Sequence, residues 1–231
     1  MSLLALLAPR RCVSCSAPGT LLCAACRRET VPVRAPVCER CGEPVALRMP
    51  SCRACRGTRG GLDRARSALE LSGVTADLVH AWKRRSAALG PIAVELVVEL
   101  VEPPAGDVLC AVPADPERRL ARGCDPPAEL ARGLAEAWQL TLDLDLLVRR
   151  RGTRPQRGLA AAERRRNLRD AFAAQAPPRV VVLVDDVYTT GETAHACARA
   201  LKRAGAGEVH VVTFARTPRD RGRPPRGGIL R

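Results

Sequence analysis

Lysine is nearly missing from this chain. Lys83 and Lys202 are the only two, although Lys and Arg together number 38 against 24 Asp and Glu. The formal charge of +14 is therefore carried almost wholly by arginine. Charge of that sign attracts phosphate, nucleic acid or anionic membrane without choosing among them. Arginine in place of lysine, beside abundant Ala, Gly and Pro, also fits the coding bias of a GC-rich genome. Aromatic residues make up 2%, too few for a generous set of base-stacking platforms. Long apolar runs are missing too. Leu3–Ala8 is shorter than the roughly 7–15 residues of a signal-peptide core and has no basic flank before it. Gly90–Val101 carries Glu95 and Glu99 and falls short of the ~20 residues that span a bilayer. A soluble cytoplasmic protein with no membrane span is expected. The GxxxxGK(S/T) and GxGxxG phosphate patterns are absent, which excludes the two commonest nucleotide loops. Three scattered histidines give no basis for a Ser-His-Asp arrangement: His80 and His210 read as structural or exposed, and His195 opens a helix. With 46% hydrophobic residues in 231, the chain can bury a core.

Cysteine is the abundant exception. Eight of the 11 cysteines fall into four C-x2-C pairs: Cys12/Cys15, Cys23/Cys26, Cys38/Cys41 and Cys52/Cys55. Two thiolates from one tight turn can reach a single ion, and two such turns complete a tetrahedral S4 site for Zn²⁺. Disulfides would need an oxidising compartment, and thioredoxin-like pairs would need a βαβ context. Two zinc ions are expected, both structural, because four thiolates leave no open position for water. Sequential ribbons (12/15 with 23/26, 38/41 with 52/55) are the simplest pairing, and an interleaved cross-brace would use the same residues. So small a module buries little apolar area, so the metals should supply most of its folding free energy. Cys110, Cys124 and Cys197 lie outside the pattern and read as buried thiols.

From Arg64 onward strand and helix signals alternate. Strands are predicted over Ala65–Leu71, Val108–Val112, Leu142–Val148, Val180–Val184 and Glu208–Phe214. Helices are predicted over Val74–Arg85, Leu89–Leu100, Pro126–Leu140 and Glu192–Ala204. This alternation implies an α/β fold, a mostly parallel sheet with helices on both faces. The expected organisation is a double zinc-ribbon module over residues 1–60, an α/β domain over 61–216, and a basic disordered tail over 217–231.

Residues 179–193, RVVVLVDDVYTTGET, are the most informative segment. Five apolar residues, Val180–Val184, make a buried strand. It is expected to end at Asp185-Asp186, followed by a turn through Val187, Tyr188, Thr189, Thr190 and Gly191, then a helix from Glu192 and Thr193. Ligands bind outside the carboxyl ends of strands in open α/β sheets. Backbone N–H groups and threonine hydroxyls at a helix N-terminus hold a phosphate, aided by the helix dipole. Adjacent carboxylates accept hydrogen bonds from two ribose hydroxyls, so the segment suits a ribose 5-phosphate. A helix cap with surface aspartates would not require the whole D-D-V-x-T-T-G-x-T order.

These residues resemble the phosphoribosyl pyrophosphate (PRPP) motif of type I phosphoribosyltransferases. Together with the four cysteine pairs, the chain resembles the ComF family, which is associated with competence for DNA uptake. Further matches are Val112-Pro113, Arg122-Gly123, Arg149, Arg151, Thr153, Gln156, Leu159, Arg164, Asn167 and Phe172. The resemblance implies a type I phosphoribosyltransferase-like fold. Asp185 and Asp186 would hold the ribose hydroxyls and steady an oxocarbenium-like state. Thr189, Thr190, Gly191 and Thr193 would hold the 5-phosphate, and Val187, Tyr188 and Glu192 would complete the PRPP-binding segment, while Pro113, Ala114 and the loop to Pro116, with Arg122, would meet pyrophosphate bridged by Mg²⁺. Arg149–Arg166 would be a closing flap, and Lys83 sits where the family often has lysine. The family's R-G-F-N-Q is here Arg122-Gly123-Cys124-Asp125-Pro126, an acid where an amide is usual. Two readings follow: a phosphoribosyltransferase with an unidentified acceptor, or a non-catalytic sensor of PRPP or a nucleotide. The sensor would bind DNA or competence-machinery proteins through its zinc ribbons. The oligomeric state stays open, and a dimer is compatible with the fold.

Overall fold

The computed structural model describes residues 10–56, 61–84, 87–115, 120, 123–150 and 171–218. Most of the expected tail and of the expected flap, Pro116 and Arg122 lie outside the described residues. The cysteine-rich segment contributes two short helices, α1 (Ala24–Glu29) and α2 (Arg53–Arg56). Beyond it, strands β1 (Arg64–Glu70), β2 (Val108–Ala111), β3 (Thr141–Leu142), β6 (Val180–Tyr188) and β7 (Glu208–Arg216) form one sheet. The order is β1-β7-β6-β2-β3 and every neighbouring pair is parallel. A separate antiparallel hairpin pairs β4 (Leu147–Arg149) with β5 (Phe172–Ala174).

Helices α3 (Gly73–Lys83), α4 (Gly90–Leu100) and α5 (Pro126–Trp138) share one core cluster with Val182, Val184 and Phe214. Helix α6 (Glu192–Ala204) shares the other with Val181, Leu183, Val211 and the β4–β5 hairpin. Alternate residues of β6 thus feed opposite layers, as the period of two requires, which explains why Val180–Val184 is apolar throughout. Local chemistry sets the helix ends. The Asp125 carboxylate accepts from Ala128 N–H at 3.4 Å, and Pro126-Pro127 fill the first turn of α5, where a missing N–H costs nothing.

Two strand expectations shift and one strand is added. Leu142–Val148 is not one strand: the Asp143 carboxylate accepts from the N–H groups of Asp145 and Leu146, each at 2.9 Å. This side chain–backbone turn splits the segment into β3 and β4. Neither the β4–β5 pairing nor β5 itself was expected. Strand β6 runs on through Asp185 and Asp186 to Tyr188, held in register with β7 to Arg216. The carboxylates therefore lie within the strand rather than in the turn after it.

The two cysteine clusters dock on opposite layers, Cys12 and Cys26 with α3 and α4, Cys38–Cys55 with α6. The segment joining them runs along edge strand β1. Val33 N–H donates to Ala68 O at 2.9 Å, Glu70 N–H to Val31 O at 2.8 Å and Ala65 N–H to Arg40 O at 2.7 Å. No helix among the described residues is long and apolar enough to cross a membrane.

Candidate functional site

The phosphate-loop residues gather at the carboxyl edge of the sheet. Thr189 and Thr190 are exposed, Gly191 is buried, and Glu192 and Thr193 are half-buried in the first turn of α6. Gly191 has φ +79°, a left-handed conformation that favours glycine. Just beneath it lies Tyr188, 3% exposed. That ring is the floor of the loop rather than part of its rim. The Thr190 hydroxyl accepts from Glu192 N–H at 3.4 Å. The first-turn N–H groups of any helix lack intrahelical acceptors, so the turn presents donors and hydroxyls together.

Asp185 and Asp186 are neighbours at this edge, with carboxyl groups close enough to interact. Asp185 Oδ1 accepts from Asp186 N–H at 2.8 Å. Burial first, and then the charge of Asp186, push the Asp185 carboxyl well above the usual carboxylate range, while Lys83 partly opposes them. Asp186 meets Lys83 Nζ at 2.6 Å. Lys83 is therefore no free surface charge: the last residue of α3 stands over the acidic strand. Trp82 fixes that position. Its indole N–H donates to Glu129 at 2.7 Å, its ring meets Phe214 edge-on at 6.0 Å, and its carbonyl accepts from the Cys124 thiol at 3.1 Å.

On the neighbouring strand, Val112 N–H donates to Val184 O at 2.8 Å. Pro113 and Ala114 thus leave β2 beside the carboxylates. They border a cleft of about 860 Å³ that also includes Asp125 and Arg149. Arg149 lies 3.9 Å from Asp115 and stacks over Phe172 at 5.5 Å. The structure thus brings together Asp185, Asp186, the Thr189–Thr193 turn, Pro113 and Ala114, with Lys83 on Asp186 and Arg149 near Asp115 beside them. The lysine signal was present in the sequence but ambiguous; Asp115 lay in the expected pyrophosphate loop, and only its proximity to Arg149 was hidden. His195 is buried in α6, and burial together with the charges of Arg40 and Arg199 pulls it down to about 4. Cys110 and Cys197 are fully buried, as expected of packing thiols.

The four cysteine pairs resolve sequentially, Cys12, Cys15, Cys23 and Cys26 in one cluster and Cys38, Cys41, Cys52 and Cys55 in the other. The sulfurs within each lie within 4.8 Å of one another. Cys15–Cys23 is 3.6 Å and Cys41–Cys52 and Cys52–Cys55 are each 3.7 Å. A tetrahedron with Zn–S of about 2.3 Å has edges near 3.8 Å, so both donor sets fit zinc. These separations far exceed a disulfide bond of about 2.05 Å. Backbone N–H groups support the thiolates, Cys26 N–H to Cys23 Sγ at 3.4 Å and Cys52 N–H to Cys38 Sγ at 3.2 Å.

Comparison with known proteins matches this layout. Residues 3–56 match a double zinc ribbon domain model, and residues 130–227 match a phosphoribosyl transferase domain model. The DNA utilization protein YhgH of Salmonella typhi is 31% identical over 223 residues, covering 90% of this chain and 98% of that protein. Its counterpart in Escherichia coli K12 is 29% identical with the same coverage. Competence protein F of Haemophilus influenzae is 35% identical over 116 residues, 48% of this chain and 50% of that protein. With a double zinc ribbon, a parallel α/β sheet and relatives matched along nearly their whole length, the chain belongs to the ComF family.

Proposed function

We propose that this protein binds PRPP with Mg²⁺ and transfers its phosphoribosyl group to an acceptor, displacing pyrophosphate. The observation that carries the reading is the juxtaposition, at one sheet edge, of paired carboxylates and a Thr-Thr-Gly turn opening α6. Thr189, Thr190, Gly191 and Thr193 hold the 5-phosphate; Asp185 and Asp186 accept the ribose hydroxyls. Pro113 and Ala114 border the pyrophosphate, with Arg149 as a nearby cation. The chemistry of the donors fits Mg²⁺, a hard cation that prefers carboxylate and phosphate oxygens. When bound, Mg²⁺ neutralises the leaving pyrophosphate. The carboxylates stabilise positive charge as it develops on the sugar.

A second reading has support in Asp125. Its carboxylate caps α5 and faces the cleft beside Pro113, where negative charge opposes pyrophosphate. On that reading the protein senses PRPP or a nucleotide without turnover. The names of its relatives, DNA utilization protein and competence protein, support a role in DNA handling on either reading, and the +14 charge suits such a partner.

The test is PRPP-dependent pyrophosphate release by the zinc-replete chain with Mg²⁺ across a panel of purine and pyrimidine acceptors. Release supports transfer. Calorimetric PRPP binding without release supports the sensor. No heat on titrating PRPP refutes transfer, and no heat with either PRPP or a nucleotide panel refutes both.

A further inference from the structure

The second zinc cluster is joined to the phosphate loop by one buried arginine. Arg216 ends β7 and is 0% exposed, among the largest fully buried side chains. Its Nη1 donates to the carbonyl of Cys41 at 2.9 Å, and its Nη2 pairs with the Glu43 carboxylate. Cys41 is a zinc-cluster residue, and Glu43, 8% exposed, lies two residues beyond it. The same guanidinium stacks over the Tyr188 ring at 5.5 Å. Tyr188 is also fixed through its backbone, because Thr217 N–H donates to its carbonyl at 3.0 Å and it pairs in register with Arg216. Above the ring sits Gly191, where a Cβ would fall 2.5 Å from Tyr188 Cζ.

We infer that Arg216, Glu43 and Tyr188 form a positioning relay that couples the metal at Cys38/Cys41/Cys52/Cys55 to ligand affinity at Thr189–Thr193. The proposal rests on the reading of that turn as the phosphate loop. An arginine this buried needs its partners, because a charge left unpaired in an apolar interior is strongly unfavourable. Loss of the metal frees the Cys38–Cys41 turn, whose closure includes Gly42 N–H to Cys38 O at 2.9 Å. Glu43 and the Cys41 carbonyl then leave Arg216, the guanidinium seeks water, and the Tyr188 floor loses its support. Linkage makes the effect reciprocal, so a ligand that orders the loop holds the second metal more tightly. The first cluster does not share the relay. Its docking on the helices runs through Arg27 to Glu95 and Glu99, at 2.9 and 2.6 Å on the opposite layer.

The chain has a single tyrosine, so 3-fluorotyrosine incorporation gives one ¹⁹F resonance that reports the loop floor. Zinc release from the full chain to a chromogenic chelator should occur in two phases. The fast phase belongs to the first cluster, where Cys15 is exposed, and the slow phase to the second, where all four cysteines are buried. Saturating PRPP with Mg²⁺ is expected to slow only the second phase, by at least fivefold on the usual scale of site-to-site coupling. Glu43→Gln should abolish that protection and shift the ¹⁹F resonance while both zinc ions stay bound. Arg27→Met, which breaks the docking of the first ribbon, should do neither. If calorimetry shows PRPP binding but the second phase and the resonance stay unchanged, the relay is overturned. If PRPP does not bind, the functional reading falls, and the resonance still decides the relay. It must then move when the second zinc is removed from the wild-type chain, and a stationary signal refutes it. That arm also serves if Glu43→Gln fails to fold.

Discussion

Gly191 allows the phosphate loop to be tested against an internal control, Gly205. Both have positive φ, +79° and +119°, and they flank the same helix as its N-cap and C-cap. Replacing either with alanine incurs the left-handed penalty of about 1–2 kcal/mol. For a chain of this size each kcal/mol lowers Tm by roughly 2–4 °C. Gly205→Ala should therefore cost about 2–8 °C and nothing else, because no atom lies within 4 Å of the added Cβ. Gly191→Ala adds a collision, since its Cβ would lie 2.5 Å from Tyr188 Cζ and nearer still to the hydroxyl. The ring cannot step aside, being wedged beneath Arg216, so the loop must lift. Displacing one donor from a charged phosphate oxygen removes about 1.5–3 kcal/mol, which is roughly 10- to 150-fold in affinity. Calorimetric titration of PRPP with Mg²⁺ into both variants, beside thermal melts, separates the two effects. Gly191→Ala binding within about twofold of wild type, or equal affinity losses in the two variants, would refute the assignment of the loop.

Lys83→Met removes the cation that opposes the upward shift of Asp185. A raised carboxyl favours the folded state at acidic pH, and that contribution is lost as pH rises through the raised value. The variant should bind PRPP more weakly, and the acidic midpoint of its affinity profile should move up; a midpoint that stays or falls contradicts the pairing. His195 acts with the opposite sign. Its value falls from about 6.5 to about 4 on folding, so its contribution is present above pH 6.5 and is lost as pH falls toward 4. The loss amounts to at most about 3 kcal/mol. His195→Gln should flatten that part of the urea-unfolding stability profile, and an unchanged slope between those pH values would count against the burial argument.

Much of the fold was legible because short-range chemistry wrote it. Four C-x2-C pairs announced two S4 sites, since each knuckle is a local turn, and their sequential pairing needed no more than proximity along the chain. Val180–Val184 and Glu192–Ala204 were legible from an apolar run and from helical periodicity, with Gly191 in the turn before the helix. The split at Asp143 was not, because a side chain that bonds to backbone two and three residues ahead leaves the apolar pattern of Leu142–Val148 intact. The extension of β6 past Asp186 was also hidden. Polar residues at a strand end look like a turn until β7 is seen pairing with them to Arg216. Lys83–Asp186 and Glu43–Arg216 bridge residues more than 100 positions apart, and no local rule brings them together. Lys83 carried a hint through the family resemblance. Glu43 and Arg216 carried none.

The strip from Val31 to Arg40 hydrogen-bonds along β1, where the parallel sheet would otherwise end in unpaired amides and carbonyls. Such a border invites pairing with another chain, and proteins usually blunt or conceal it. Here the concealment is supplied by the stretch between two metal knuckles. An amputated α/β body lacking residues 10–56 would present a raw flank to its own copies, and sticky, self-stacking material is the expected product. The cysteine module is thus a hem sewn onto the sheet, which gives the gene a reason to keep the two halves together whatever else the ribbons contact.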